Sequence, residues 1–549
     1  MSKKKHKLLF IKEAYGWRKV KTSNYILWIK GTIYNFSDLI ILKKLILMSE
    51  SSLKKFFRHL DGHFALIFEK KNKIICAVDE VSSIPIFYYK DKENFFITPF
   101  PNLLKKKINK KKINKQILAL SMSSYTVGDQ TIYKNFFRLR GGSYFKFNQI
   151  NGFFNKYNYY IYKNLKFNSN LNYKLLFNKL SNLNLSIINK IYKFSIKNNK
   201  NIAIPLSAGY DSRFIVSCLK HLGAKNVLCF SYGQKNNFEA EAAKKISNQL
   251  GYPWHFVKLS NSKTYKTFET KKFKKFCKLF DTFCSVSSAA DIPEFQAIDE
   301  LKKKKILNNS IIVNGNSGDF ISGNHILDFK SFKDKNKTLN NLIYAHIKKH
   351  YRLWNNLGTK ENDQIIFNLL KSELQNFDMI KNINKTNMHL INEFLEFYDR
   401  QSKHVISKQR VYEYFNLQWS LPLWDKDYIE FWRTIPKQYK NKQVLYEDVL
   451  IKKNYGGVWK NKKWKYLKND MTTRLNFFRF FVRPFFKFIF LFAGKSAWHK
   501  FERKYVSFFT DILCNLGISS YKELFLEKRD FRNFLSIHTD KYLKKNVKQ

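Results

Sequence analysis

The sequence predicts an α/β chain in two parts. A strand-rich amino-terminal part comes first, followed by a part with long helical segments and a parallel sheet flanked by helices. Three observations predict it. Short apolar runs broken by turn residues fill positions 1 to 165. Long Leu/Ile/Asn/Lys segments at helical spacing take over from residue 170. Between residues 201 and 259, apolar strands alternate with helices at the spacing of βαβ units, and such units build parallel sheets. At roughly 100–200 residues per domain, the 549 residues allow about two to four domains.

In the amino-terminal part, residues 25–29, 63–68 and 74–78 are apolar runs of strand length, and Asp61-Gly62 and Gly141-Gly142 are turn signals. Residues 105–112 are Lys except at Ile108 and Asn109, a solvated loop or helix face. Residues 125–145 carry further strand and turn signals. Next, Ile202, Ile204 and Leu206 form a strand that runs into Ser207-Ala208-Gly209-Tyr210-Asp211-Ser212. A helix over 213–221 ends at Gly223. A strand over 226–230 leads into Ser231-Tyr232-Gly233, a helix over 238–250 stops at Gly251, and a strand over 255–259 completes the alternation. A fourth strand, 311–313, leads into Asn314-Gly315-Asn316-Ser317-Gly318-Asp319.

Composition narrows the function classes. Hydrophobic residues at 44% and aromatics at 17% exclude wholesale disorder. The net charge of +58 suggests nucleic acid, but only 15 of the 100 basic residues are Arg, the side chain suited to bidentate phosphate and base recognition. Most of the excess reads as lysine on solvated faces, so a nucleic-acid partner is not expected. Six scattered cysteines without a Cys-x-x-Cys pair read as thiols of a reducing compartment. The apolar stretch after the basic start covers only residues 8–11, too short for a signal peptide core, and no spanning helix is expected. The expected location is cytoplasmic.

The two loops carry the chemistry. Small residues between a strand and a helix let backbone N–H groups approach an anion, and the helix end adds positive potential. Ser207 and Ser212 add hydroxyl donors, and Asp211 can hold magnesium. The loop ending at Asp319 repeats the design, so two such loops on one parallel sheet would bring Asp211 and Asp319 to one phosphate chain.

The loop of residues 207–212 resembles the Ser-Gly-Gly-x-Asp-Ser pyrophosphate loop of ATP pyrophosphatases. Within that superfamily the chain resembles the asparagine synthetase family, with Gly318-Asp319 and Leu421-Pro422-Leu423-Trp424-Asp425 as further landmarks. Gly31-Thr32-Ile33-Tyr34-Asn35, Asp61-Gly62-His63-Phe64-Ala65, the segment from Asp79 through Pro85 to Tyr88, and residues 131–142 resemble its amino-terminal half. The resemblance fades after residue 460. It implies an Ntn-hydrolase-like α+β sandwich over residues 1–165, a glutaminase-like domain of the class II amidotransferase kind. A Rossmann-like synthetase domain with a helical carboxyl-terminal part would follow over 166–549.

Departures from the family decide what that implies. The family hydrolyses glutamine with an amino-terminal Cys; here residue 2 is Ser, Lys30 replaces the oxyanion-hole Asn, and Thr32 replaces Glu. The implied glutaminase is degenerate. In the synthetase half Ala208 replaces a Gly, Phe320 replaces the Glu after the loop Asp, and Gln418 and Ser420 stand where Glu and Arg are common.

The resemblance implies ATP and pyrophosphate binding by Leu206, Ser207, Ala208, Gly209, Asp211, Ser212, Phe230, Ser231, Tyr232 and Gly318. It implies magnesium (Mg2+) at Asp211 and Asp319, and Lys442 as the catalytic cation with Tyr446 as the competing occupant of that position. The implied partners are a small-molecule carboxylate and ammonia or an amine donor. The implied reaction passes through an acyl-adenylate and releases AMP and pyrophosphate. A tRNA-modifying ATP pyrophosphatase and a non-catalytic scaffold are the alternatives. Residues 477–492 carry an aromatic face with Arg479, Arg483 and Lys487 spaced four apart. They suit a helix docked on the domain or a peripheral membrane contact. A homodimer is a further open assembly.

Overall fold

The computed structural model describes residues 8–108, 111–163, 172–233, 235, 237–286, 292–327, 338–380, 387–459, 484–485, 487–494, 497–498, 526–532 and 534–547. Ser2, Cys514, residues 477–483 and 486 of the segment 477–492, and the expected domain boundary at 165/166 lie outside them.

The amino-terminal half is an α+β sandwich. Its strands are β1 (Arg18–Lys21), β2 (Tyr25–Ile33), β3 (Gly62–Lys70), β4 (Lys73–Val78), β5 (Phe87–Lys90), β6 (Phe95–Thr98), β7 (Phe136–Arg138), β8 (Ser143–Asn148) and β9 (Phe154–Asn158). They form an antiparallel six-stranded sheet, β1-β2-β3-β4-β8-β9, and a three-stranded sheet, β6-β5-β7. Alternate residues of β8 face opposite ways. Phe147 stacks on Phe95 of the small sheet at 3.8 Å, and Phe145 meets Tyr88 at 5.4 Å. On the other face Tyr144 meets Phe57 of helix Leu53–His59 at 5.0 Å.

The second half holds β10 (Asn201–Pro205), β11 (Val227–Gly233), β12 (Trp254–Lys258), β13 (Ser310–Val313) and β14 (Gln418–Ser420). All pair in parallel, in the order β12-β11-β10-β13-β14. The chain therefore leaves β10 toward one edge of the sheet and β13 toward the other. The crevice between their carboxyl ends is the switch point at which such sheets bind ligands. The helices expected over 213–221 and 238–250 are Tyr210–His221 and Phe238–Leu250, the second closed by Gly251 in the left-handed region. Helices predominate after β13.

One hydrophobic core runs through both halves, from Ile29 and Phe64 to Ile204 and Trp432. Polar ties cross the same seam. Lys190 pairs with Asp61 at 2.8 Å and also with Asp425, and the Tyr34 and Ser420 hydroxyls lie 2.7 Å apart. No helix among the described residues is long and apolar enough to cross a membrane. Among the described residues no two cysteines form a disulfide.

Candidate active site

β10 ends at Pro205, and Leu206 extends it by donating its amide to the Phe230 carbonyl at 2.8 Å. The turn then curls round its own hydroxyls. The Ser207 amide donates to Ser212 Oγ at 3.1 Å, and the Gly209 amide to Ser207 Oγ at 3.1 Å. Gly209 caps helix Tyr210–His221, whose first turn carries Asp211. Ala208 is not among the residues with positive φ, so the turn accepts a Cβ there without strain.

The loop after β13 lies against this turn. A Cβ on Gly318 would overlap the Asp211 carboxylate, and one on Gly315 would come 2.8–2.9 Å from Asp211 and Ser212. The amides of Gly318 and Asp319 donate to the Asp211 carboxylate, and the Tyr446 hydroxyl donates to its Oδ1 at 3.1 Å. Burial first, then the charge of Asp319, pushes Asp211 up to about 7.

Asp319 is held from its other side. His325 Nε2 lies 3.0 Å from Asp319 Oδ2, and its Nδ1 bonds Glu396. Burial opposes charge on both groups, but these bonds win: Asp319 falls below the usual carboxylate range, and His325 rises to about 9. Glu396 is fully buried and also meets Gln401 Nε2 at 2.9 Å, Arg400 at 3.1 Å and His350 at 3.2 Å. Gln401 Oε1 accepts the Ser317 hydroxyl at 2.7 Å, which ties the β13 loop to the same network.

Leu206, Ser207, Ala208, Gly209, Asp211, Ser212, Gly318 and Asp319 thus converge at the switch point. Ser231 ties the three strands beside them, donating its hydroxyl to the Leu206 carbonyl at 2.7 Å and accepting Trp254 Nε1 at 3.0 Å. Phe230 is fully buried and Tyr232 half-buried. Lys442 is exposed, with φ of 55°; four residues on, Tyr446 is the side chain on Asp211. Phe320 is buried, stacked on Trp424 at 5.9 Å and edge-on to His325 at 5.8 Å, so it packs the back of the loop. Ser420 faces Tyr34 of the other half. Sequence reasoning missed His325 and Glu396. The one local signal was a His six residues after the loop Asp.

The donor set suits magnesium: burial first, and then the charge of Asp319, drives Asp211 toward protonation, and a hard cation would relieve both. Among the described residues no group of three or more His, Cys, Asp or Glu side chains is placed to hold a metal ion.

In the amino-terminal half, Lys30 is buried and pairs at 2.6 Å with Glu413 of the second half. Glu413 also takes Arg410 at 2.9 Å and Trp419 Nε1 at 3.1 Å. Between Trp17, Lys30, Pro85, Phe100, Phe280 and Arg410 there is a gap of about 10 Å3, room for one water. Gly31 and Gly62 have φ of 106° and 135°, and a Cβ on either would strike the opposite strand of the β2–β3 pair, which explains both glycines.

Comparison with known proteins agrees with this architecture. Residues 19–160 match the glutamine amidotransferase domain, and residues 195–464 match asparagine synthase. None of the curated proteins compared with the chain matches it. One similar solved structure is an NH3-dependent NAD synthetase from Campylobacter jejuni in complex with the nitrate ion. It has 12% identity and a TM-score of 0.21, over 41% of this chain and 94% of that one. Another is glutamine phosphoribosylpyrophosphate amidotransferase from B. subtilis complexed with ADP and GMP. It has 10% identity and a TM-score of 0.19, over 44% and 73%. The chain belongs to the asparagine synthetase family in its two-part form, an amidotransferase domain followed by an asparagine synthase domain.

Proposed function

We propose that the chain is an ATP-dependent ligase joining a small carboxylate to ammonia or an amine. The carboxylate oxygen attacks the α-phosphorus of ATP, the bond to the bridging oxygen breaks, and pyrophosphate leaves. Ammonia or the amine then attacks the acyl carbon and expels AMP, leaving an amide. The carrying observation is the pair of small-residue loops at the switch point, packed so closely that Gly318 abuts Asp211.

In this reading Ser207, Gly209 and Ser212 hold the leaving pyrophosphate at the amino end of helix Tyr210–His221. The backbone at Phe230, Ser231 and Tyr232 receives the adenine. Magnesium held by Asp211 and Asp319 would neutralise charge on the leaving group. His325 and Glu396 orient Asp319 from behind. Lys442, exposed and four residues before Tyr446, is assigned the charge that develops at the α-phosphate. Asp211→Asn is expected to lower ATP–pyrophosphate exchange, measured with a panel of small carboxylic acids, by about 100-fold or more. Exchange at the wild-type rate contradicts the assignment.

The glutaminase site is inactive in this reading, because the ion pair of Lys30 with Glu413 occupies its floor and leaves room for one water. Ammonium salts, not glutamine, then supply nitrogen; glutamate released from glutamine above the blank contradicts this. Cysteines held without a disulfide suit a reducing compartment such as the cytoplasm. Phe485, Phe488, Leu491 and Phe492 are 62–91% exposed, which supports a peripheral membrane contact through the described part of this segment, residues 484–492 without 486. Failure to co-sediment with anionic vesicles at low salt removes that reading.

A further inference from the structure

A second cleft opens on the seam between the halves. The segment 100–107, helix Lys271–Leu279, residues 280–286 and helix Phe534–Val547 enclose about 830 Å3. That is the size of a small-molecule site, roughly 300–1,000 Å3. It shares Phe100, Phe280 and Arg410 with the closed gap beside Lys30, but none of the residues of the Asp211 loops.

Its two surfaces differ in chemistry. Phe100, Phe276, Phe280 and Val286 give an apolar floor. Lys105, Lys106, Lys107, Lys275, Lys278 and Lys545 give the rim. The one acid in the lining, Asp281, is already engaged: its Oδ1 accepts the Tyr542 hydroxyl at 2.7 Å and the Phe283 amide at 3.0 Å.

Lysine abundance alone does not account for the rim. On helix Lys271–Leu279, Lys272 pairs with Asp299 and Lys274 with Glu269, while Lys275 and Lys278 turn to the cleft. Among the described residues, none of the six rim lysines lies within ion-pair distance of a carboxylate; Lys105 meets Asn546 Oδ1 at 3.3 Å and lies 5.9 Å from the Phe283 ring centre, and Lys107 lies 5.6 Å from that of Phe10. The rim carries six lysines against one carboxylate, that of Asp281, whose charge acts on Lys105 and Lys545, and the apolar floor beneath them gives water little to bind. A ligand that is anionic at one end and apolar at the other satisfies both surfaces.

We propose that this cleft is a binding site for a small anionic amphiphile, its apolar body on the aromatic floor and its phosphate or carboxylate head among the lysines. The proposal does not rest on the ligase reading, since it uses none of the ATP-site residues.

Calorimetric titration of the full chain with dodecyl phosphate, dodecyl maltoside and inorganic phosphate tests it. Dodecyl phosphate is expected to bind saturably at one site and to lose about tenfold or more in affinity in the triple variant Lys106→Glu/Lys278→Glu/Lys545→Glu. These three lysines are exposed, so the variant keeps the fold. Dodecyl maltoside and inorganic phosphate, each lacking one half of the chemistry, are expected to bind about tenfold or more weakly than dodecyl phosphate. Absence of saturable binding, equal binding of the maltoside or of phosphate, or an unchanged affinity in the triple variant overturns the proposal.

Discussion

A methyl group on Gly318 has no space except that of the Asp211 carboxylate. Gly318→Ala is therefore expected to displace Asp211, cost about 1–3 kcal/mol as overpacking does, and depress ATP–pyrophosphate exchange with it. A variant with the wild-type denaturation midpoint and exchange rate contradicts the packing account. Lys30 yields a pH signature. Burial outweighs the attraction of Glu413 and lowers its ammonium to about 8, against 10.5 for an ordinary lysine. Between those values the unfolded chain binds more protons, so stability rises with pH there, and the full cost is carried below about 8. Lys30→Met has no such term. Compared by urea denaturation, wild type should gain on the variant from pH 7 to pH 10, by on the order of 3 kcal/mol at most. A difference that does not change with pH contradicts the burial of a charged Lys30.

At the scale of elements, the β13 loop is held in place by the helical segment behind it. Glu396 alone gathers His325, His350, Arg400 and Gln401. Glu396→Gln keeps the shape and removes the buried charge that His325 and Arg400 share, leaving Asp319 as the carboxylate on His325. A loss of about 3 kcal/mol is expected from the denaturation midpoint, and a loss within about 0.5 kcal/mol contradicts the network. This scale also divides what the sequence revealed from what it hid. Both small-residue loops were legible because strand, small residues and carboxylate lie within ten consecutive positions, as Ile202 to Asp211 do. Helix Phe238–Leu250 was legible from its period and its closing glycine. The contacts behind the loops were not. His325 meets Glu396 across 71 positions and Lys30 meets Glu413 across 383, and no local pattern encodes such pairings. Strand β14 is three residues long, too short for alternation to show. Phe320 read as a lost polar contact because its stacking on Trp424 is tertiary.

For the whole molecule, the shared core and the ties of Lys30, Tyr34 and Lys190 make the two halves one packing unit. Calorimetry should record one cooperative unfolding transition; two well-separated transitions contradict a continuous core. The net charge of +58 takes its place at this scale too. Lys303 and Lys304 sit exposed, each paired at 2.9 Å with an acid one helical turn away, while the chemistry is argued from Asp211 and Asp319. The central claim is that these two acidic loops activate a carboxylate by adenylation. Identifying the products of ATP cleavage with ammonium and a panel of carboxylic acids tests it most directly. AMP and pyrophosphate in equal amounts from the wild type, and neither from Asp211→Asn, are the predicted result. ADP and orthophosphate, or AMP formation undiminished in the variant, would contradict it.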